Sequence, residues 1–365
     1  MSEDIKAQMR TDFQALHELV KRAKERLPRH IWDYLQGATE TETTMKRNRS
    51  ALDRIAFRPR VLNDMREIDT SSTFFGEKVR LPVSLCPIGS LESFCPEGPR
   101  EAAKAAADFG VPFFLSSVGT FSPESFADIG GTKVFALYKR GDDKWLDEIM
   151  EKAVAGGFDY LSLTVDSAWY SRRERDITLR FNKPWRANDG AGYQAALNWS
   201  DVARCKKTYD IPLILKGIAT AEDAKIALDH GVDMVFVSNH GGRQLDHGRG
   251  STDVLPEVLE AVDGKILVMV DGAYVRGTDV VKARALGAVS AGMGRMLCVG
   301  LAAGGAAGVY RVLELLEEEC KLALGLLGVH NFDALEAAHL HPAEPVTAPH
   351  VWSAFPHLSP DIHHY

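Results

Sequence analysis

The chain has 365 residues, 45% of them hydrophobic and 25% charged, with a formal net charge of -7; it can bury a large core and lacks the basic surface of a nucleic-acid binder, its basic clusters such as Lys46-Arg47-Asn48-Arg49 being short and interleaved with acids. The charged start MSEDIKAQMR, and the want of any run near the roughly 18 apolar residues of a membrane span, lead to the expectation of a cytoplasmic protein with no membrane partner. Five cysteines, odd in number and without metal spacing, read as reduced packing thiols.

Residues 1–78 read as helices and then an irregular segment, FRPRVLNDM, that caps the rest of the chain. From 79 to 328 eight apolar runs recur: VSLCPIG, FFLSS, VFALY, YLSLTVD, PLILKG, MVFVSN, ILVMVDG and AVSAGM. Between most of them lie segments rich in Ala, Leu, Glu and Lys that close on Gly, as in EGPREAAKAAADFG and GTDVVKARALG, the pattern of helices and their stops. Continuous apolar strands alternating with helices predict a parallel sheet covered on both faces. Eight such units, without a GxGxxG in the first turn, predict a closed (β/α)8 TIM barrel rather than an open doubly wound sheet.

Strand starts at Tyr160 and Pro212 are 52 residues apart, more than any other pair. The excess, Ser167 to Asn198, is expected to form a lid or substrate loop carrying Trp169, Tyr170, Trp185 and Tyr193, with a plain surface loop as the alternative. Beyond the last strand, an Ala-rich helix and then an amphipathic one, GVYRVLELLEEECKLALGLLG, are expected. Residues 329–365 read as an extended, proline-rich tail. Seven of the 12 histidines lie there (His330, His339, His341, His350, His357, His363 and His364). Their irregular spacing and the lack of a Cys or acidic set favour a solvated tail over a metal site, with docking on a neighbouring subunit as the alternative.

In a barrel of this kind chemistry sits at the strand exits. Those exits carry Ser116, Ser117, Tyr138, Thr164, Asp166, Lys216, Ser238, His240, Asp271, Gly294 and Arg295. One Ser or Asp there is usually a cap, but Lys, His, Tyr, Asp and Arg together at different exits point to a site. After the sixth strand, His240-Gly241-Gly242-Arg243 places a base and a cation around two glycines, as if to let a substrate approach the backbone. Asp271-Gly272 and Gly292-Met293-Gly294-Arg295 read as a phosphate cradle ahead of a helix N-terminus, which implies a phosphorylated cofactor.

These motifs carry a resemblance. SNHGGRQ at Ser238–Gln244, supported by LPRHIWDYLQG, FRPRVL, CPEG (where HPEG is usual), LTVD, RRE, LKGIATAEDA and GTDVVKARALGA, resembles the FMN-dependent 2-hydroxy acid oxidase and dehydrogenase family from about residue 20 to 330. The resemblance implies FMN as cofactor and oxidation of an L-2-hydroxy acid to the 2-oxo acid, with hydride passing to flavin N5 and oxygen or another acceptor reoxidising the flavin. It assigns His240 as base with Asp166 as its partner, Arg173, Arg243 and Tyr34 to the substrate carboxylate, and Tyr138 to the substrate hydroxyl. Lys216 would face flavin N1 and O2, where charge accumulates. The remaining cofactor contacts would come from Pro87, Ile88, Gly89, Ser116, Thr164, Ser238, Asp271, Gly272, Ala273, Arg276, Gly294 and Arg295. A homotetramer or homo-octamer is also implied.

Four departures stand out. Ala136 replaces a glutamine that bonds the flavin pyrimidine, and Val275 an arginine that helps hold the phosphate; one lost charge-assisted bond costs on the order of 1.5 to 3 kcal/mol, unless Arg276 or a water substitutes. Val118 replaces a large aromatic of the glycolate oxidase pocket, and the insertion after strand four is shorter and aromatic. Together they suggest a substrate larger than glycolate or lactate, a small one being the alternative. Two further readings are a flavin-binding protein without turnover, suggested by Ala136 and Val275, and an FMN-dependent isomerase; intact Tyr34, Tyr138, Arg173, His240 and Arg243 argue against both.

Overall fold

The computed structural model of the protein describes residues 1–181 and 190–363. Each of the eight apolar runs holds a strand: β1 Val83–Leu85, β2 Phe113–Ser116, β3 Lys133–Leu137, β4 Tyr160–Thr164, β5 Leu213–Ile218, β6 Met234–Val237, β7 Leu267–Asp271 and β8 Ser290–Met293. They close into a barrel in the order β7-β8-β1-β2-β3-β4-β5-β6, every pairing parallel. The surrounding helices begin and end on local signals. Asp142 caps Asp143–Ala155 by accepting from Trp145 N (3.0 Å), Thr220 caps Ala221–Asp229 through Asp223 N (3.2 Å), and Gly110 and Gly287 stop their helices at φ +91° and +112°.

The barrel has two apolar layers. One lies between strands and helices; the other fills the lumen with Phe114, Ile214, Met234, Phe236 and Met269, joined by Phe74. Phe74 arrives on a hairpin, Ser72–Phe74 against Glu77–Val79, after the segment FRPRVLNDM and at the end of the capping region. Phe75 stacks on Tyr160, the first residue of β4, with ring centroids 4.7 Å apart. The hairpin therefore plugs the strand-entry end.

The two helices expected after β8 form one element, Arg295–Leu327, broken only by non-helical dihedrals at Gly304 and Gly305. It is long and apolar enough to cross a bilayer, but 78% of its apolar window is buried inside the protein, where it packs on the helices Leu16–Arg26 and Gly98–Phe109. Helices Arg29–Gln36 and Thr43–Asp53 send Tyr34, Met45 and Arg49 over the strand exits. The tail corrects its expectation in part: His330, His341 and His357 are exposed, but the segment packs on its own chain. Leu340–Pro342 pairs antiparallel with Ile55–Phe57, and Trp352, Phe355 and Ile362 are buried, because a run of apolar side chains recurs between the histidines and meets the N-terminal helices. His350 packs edge-on against His363, and His357 lies on His17; His364 lies outside the described residues.

Candidate active site

The strand exits open into one large cavity lined by Tyr34, Tyr138, Arg173, Lys216, His240 and Arg243 at one side and by Asp271, Gly272, Ala273, Val275, Gly294 and Arg295 at the other, with Pro87, Ile88 and Gly89 from the β1 exit between them. At its centre is a three-residue chain of contacts. His240 Nδ1 lies 3.1 and 3.3 Å from the two carboxylate oxygens of Asp166, and its Nε2 lies 3.1 Å from Tyr138 Oη. The carboxylate fixes the proton on Nδ1 and leaves Nε2 facing the cavity as the acceptor. Burial holds the His240 pKa below its ordinary value despite the raising effect of Asp166, so the imidazole stands neutral, as a base must. Burial would raise the Asp166 pKa, but His240 and Lys216 outweigh it and keep the group a carboxylate.

The chain bends sharply to bring these groups together. Asp166 can approach only because residue 217 is glycine: a Cβ there would lie 2.6 Å from Asp166 Cβ, at a φ of +112°. His240 itself has φ +60°, a conformation costing on the order of 1 kcal/mol for a non-glycine residue. It is held there because Ser238 Oγ accepts from His240 N (3.0 Å) and Asn239 Oδ1 from Gly242 N (3.1 Å). Asn239 in turn exchanges amide bonds of 2.7 and 2.9 Å with Asn48, and Asp246 accepts from Thr41 N and Thr44 N at 2.9 Å. The loop is thus a pinned 3-10 turn, not a hinge. Gly242 serves packing rather than substrate approach, since a Cβ there would sit 2.5 Å from Met45 N.

Arg243 is set by the end of helix Arg29–Gln36. Its Nη1 donates to Tyr34 O (2.8 Å) and Gly37 O (2.6 Å), carbonyls at the negative end of the helix, and its guanidinium lies over the Tyr34 ring at 4.7 Å. Its Nη2 is buried with no hydrogen-bond partner among the described residues. Arg173 donates through Nε to Ser171 Oγ (3.2 Å) and Arg243 O (3.4 Å). Burial, and then Arg243 beside it, lower the Arg173 pKa to about 10. Two desolvated guanidiniums side by side, with N–H groups to spare, make a site suited to an anion. The phenol of Tyr34 donates to Gly89 O (3.1 Å).

Lys216 donates to Ser238 Oγ (2.9 Å) and stands 3.9 Å from Asp271. Burial lowers its pKa, but Asp271 and Asp166 more than restore it, so it is a fixed cation beneath the cavity. Ser116 Oγ is occupied by Val118 N (3.1 Å), whereas Thr164 Oγ1, Asp271 Oδ1 and Arg295 Nε are buried with no partner among the described residues. Asp166, Ser116, Thr164 and Ser238 lie behind the lining rather than in it.

One expectation at the phosphate-like end needs correcting. Arg276 does not line the cavity: its side chain pairs with Glu319 at 2.5 Å, donates to Ala354 O at 3.3 Å and lies over Phe355, so it does not stand in for the arginine that Val275 replaces. Arg295 does line it, but its Nη2 reaches back to Gly37 O (3.1 Å) and Gly241 O (3.3 Å). Arg49, unmarked in the sequence, also reaches this end. Its N–H groups are taken up by Asp279 (2.9 and 3.0 Å), Asp53 (2.7 Å) and Ala273 O (3.2 Å). It buttresses the turn and is already neutralised.

Sequence reading also missed the aromatic wall. Phe94 and Phe181 line the cavity and flank Tyr34, with centroids 5.8 and 5.9 Å from its ring; Val118 faces the same space. Of the aromatic residues expected in the insertion Tyr170 lines the cavity, Trp169 and Tyr193 are exposed, and Trp185 lies outside the described residues.

The family model for FMN-dependent dehydrogenase matches residues 23–191 and 186–342. The chain belongs to that family. Glycolate oxidase of Spinacia oleracea is 37% identical over 342 residues, covering 87% of this chain and 93% of that protein. 4-Hydroxymandelate oxidase of Amycolatopsis orientalis is 37% identical over 344 residues, covering 88% and 96%. A solved mandelate oxidase with (S)-2-phenylpropionate superposes with a TM-score of 0.84 at 37% identity, over 92% of this chain and all of that one. Another, a tyrosine-to-phenylalanine mutant of mandelate oxidase with an FMN adduct, gives 0.83 at 37% identity over 90% of this chain and all of that one.

The residues present fit FMN. A buried fixed cation lies under the centre, Asp271 lines the cavity with its Oδ1 unpartnered among the described residues, and Gly294 opens the 33-residue helix Arg295–Leu327. That helix N-terminus and Arg295 would hold the phosphate, and Lys216 would sit under the ring that reduction makes negative. The phosphate end is poorer in free cations than the family pattern, with Val275 apolar and Arg276 and Arg49 both engaged elsewhere.

Proposed function

We propose that the protein oxidises an (S)-2-hydroxy acid bearing an aryl or comparably bulky side chain to its 2-oxo acid. The observation that carries this reading is His240 set between Asp166 and Tyr138, with Arg173 and Arg243 opening on the same cavity. The two guanidiniums clamp the substrate carboxylate in paired forks. Carboxylate binding places the C2 hydroxyl toward His240 Nε2, which accepts its proton, and Asp166 stabilises the imidazolium that results. Tyr138 Oη hydrogen-bonds the oxygen as charge develops on it. Bound FMN supplies the two-electron acceptor for the hydrogen on C2.

The bulky-substrate part rests on the Tyr34, Phe94 and Phe181 wall and on Val118. Aromatic rings offset or edge-on to this wall would gain about 0.5 to 1.5 kcal/mol each beyond burial. Oxygen or another acceptor would reoxidise the flavin; the reading extends to a homotetramer or homo-octamer, implied by the family resemblance, and to a cytoplasmic location, for which the scattered, unpaired cysteines speak. Steady-state kinetics on (S)-mandelate, lactate, long-chain 2-hydroxy acids and glycolate test it. Highest kcat/KM on mandelate is expected; highest efficiency on glycolate would overturn the large-substrate assignment.

A further inference from the structure

The family match ends at residue 342, yet the segment beyond it returns to the cavity. Val351 is part of the cavity lining, and Trp352, only 1% exposed, stacks on Trp32 with centroids 5.4 Å apart and planes 15° from parallel. Three hydrogen bonds lock the same contact: Trp32 Nε1 to Ile362 O (3.0 Å), Gln36 Nε2 to His363 O (3.3 Å) and Trp352 Nε1 to Gln36 Oε1 (3.4 Å). Trp32 and Gln36 are four residues apart and share one face of helix Arg29–Gln36. Tyr34 projects from another face into the cavity, and the helix end supplies the Tyr34 and Gly37 carbonyls that hold Arg243. Farther along, Ala354 O accepts from Arg276, whose guanidinium lies over Phe355. The tail therefore grips the two elements that flank the cavity: the helix carrying the carboxylate site and the turn after β7.

We propose that residues 343–363 form a strap that positions the substrate-carboxylate site, by fixing helix Arg29–Gln36 so that Tyr34 and the carbonyls behind Arg243 stay in register with His240. The strap acts through that helix and touches none of the reacting atoms, so Trp352 is a positioning residue. Its kinetic consequence rests on the hydroxy acid reading above; its structural consequence does not.

The test uses full-length, FMN-loaded protein with Trp352→Ala and Trp352→Phe, beside a deletion of 343–365. Trp352→Ala should raise KM for the hydroxy acid, and weaken binding of an unreactive aryl 2-oxo acid read by the flavin absorption band, by tenfold or more. In the same protein kcat should fall less than fivefold and bound FMN should stay within twofold. Hydrogen–deuterium exchange across residues 29–38 should speed up at least tenfold, and Trp352→Phe, which keeps the stack, should restore both readouts to within threefold of wild type. If the deletion does not fold, Trp352→Ala decides. Loss of FMN and thermal stability with ligand affinity per flavin-loaded molecule unchanged would overturn the proposal, as would unchanged exchange at 29–38. Should the wild type oxidise no hydroxy acid, the functional reading fails, while exchange and anion affinity, measured with oxalate, still decide the strap.

Discussion

The two sides of the cavity are built to different standards. On the substrate side each titratable or charged group named has its orientation fixed from behind: His240 by Asp166 and Ser238, Arg243 by two helix-end carbonyls, and Arg173 by Ser171. The donor left over there, Arg243 Nη2, is suited to an anion. On the phosphate side the cations are paired within the protein itself. Arg49 is closed off by Asp279 and Asp53, Arg276 by Glu319, and position 275 is apolar. On the proposed reading the groups for proton removal and carboxylate binding are all in place, while the hold on FMN would rely on a helix N-terminus and Arg295.

This asymmetry should be felt most strongly at His240. Replacement by Gln should cut kcat by about 10²- to 10⁴-fold, the usual range for a general base, with FMN content unchanged; more than a tenth of wild-type turnover would remove His240 from the role. Next in size, Arg243→Met strands the partners of a buried charge and should lower kcat/KM by about 10²-fold, mostly through KM, a loss on the order of 2 to 5 kcal/mol. An effect confined to FMN binding would place Arg243 on the cofactor side instead.

The phosphate side should respond in the opposite direction. Val275→Arg is expected to tighten FMN about tenfold or more by fluorescence titration, since one charge-assisted bond contributes on the order of 1.5 to 3 kcal/mol. An unchanged affinity would mean that Arg295 and the helix terminus already satisfy the phosphate. The smallest effect is on pH. Because burial lowers the His240 pKa and the neutral imidazole is the active form, kcat/KM should hold as pH falls through the ordinary histidine value of about 6.5 and decline only below it. An acid limb centred above 6.5 would show Asp166 outweighing burial.

The barrel is legible in the sequence because its strands are buried on both faces and its helices carry local caps, signals a single chain displays without long-range information. The ring of site residues is legible for a related reason: once strand exits are assigned, the fold brings Asp166, Lys216 and His240 together. What escapes depends on contacts distant in sequence. Arg276 turns from the cavity because Glu319, 43 residues onward, and the tail carbonyl of Ala354 hold it. Phe94 and Phe181 matter only because Tyr34 comes between them. The histidine-rich tail suggests solvent, yet its burial is set by Trp352, Phe355 and Ile362, whose partners lie at the other end of the chain. Three-residue strands such as Ser72–Phe74 are too short for alternation to announce them.

Whether His240 and the paired arginines deliver a hydroxy acid's electrons to FMN is decided by anaerobic mixing of the FMN-loaded protein with (S)-mandelate, followed at the flavin absorption band. Full bleaching in a single saturable phase, slowed at least 10²-fold by His240→Gln, is the expected result; a band that persists with mandelate, lactate and glycolate alike would contradict it.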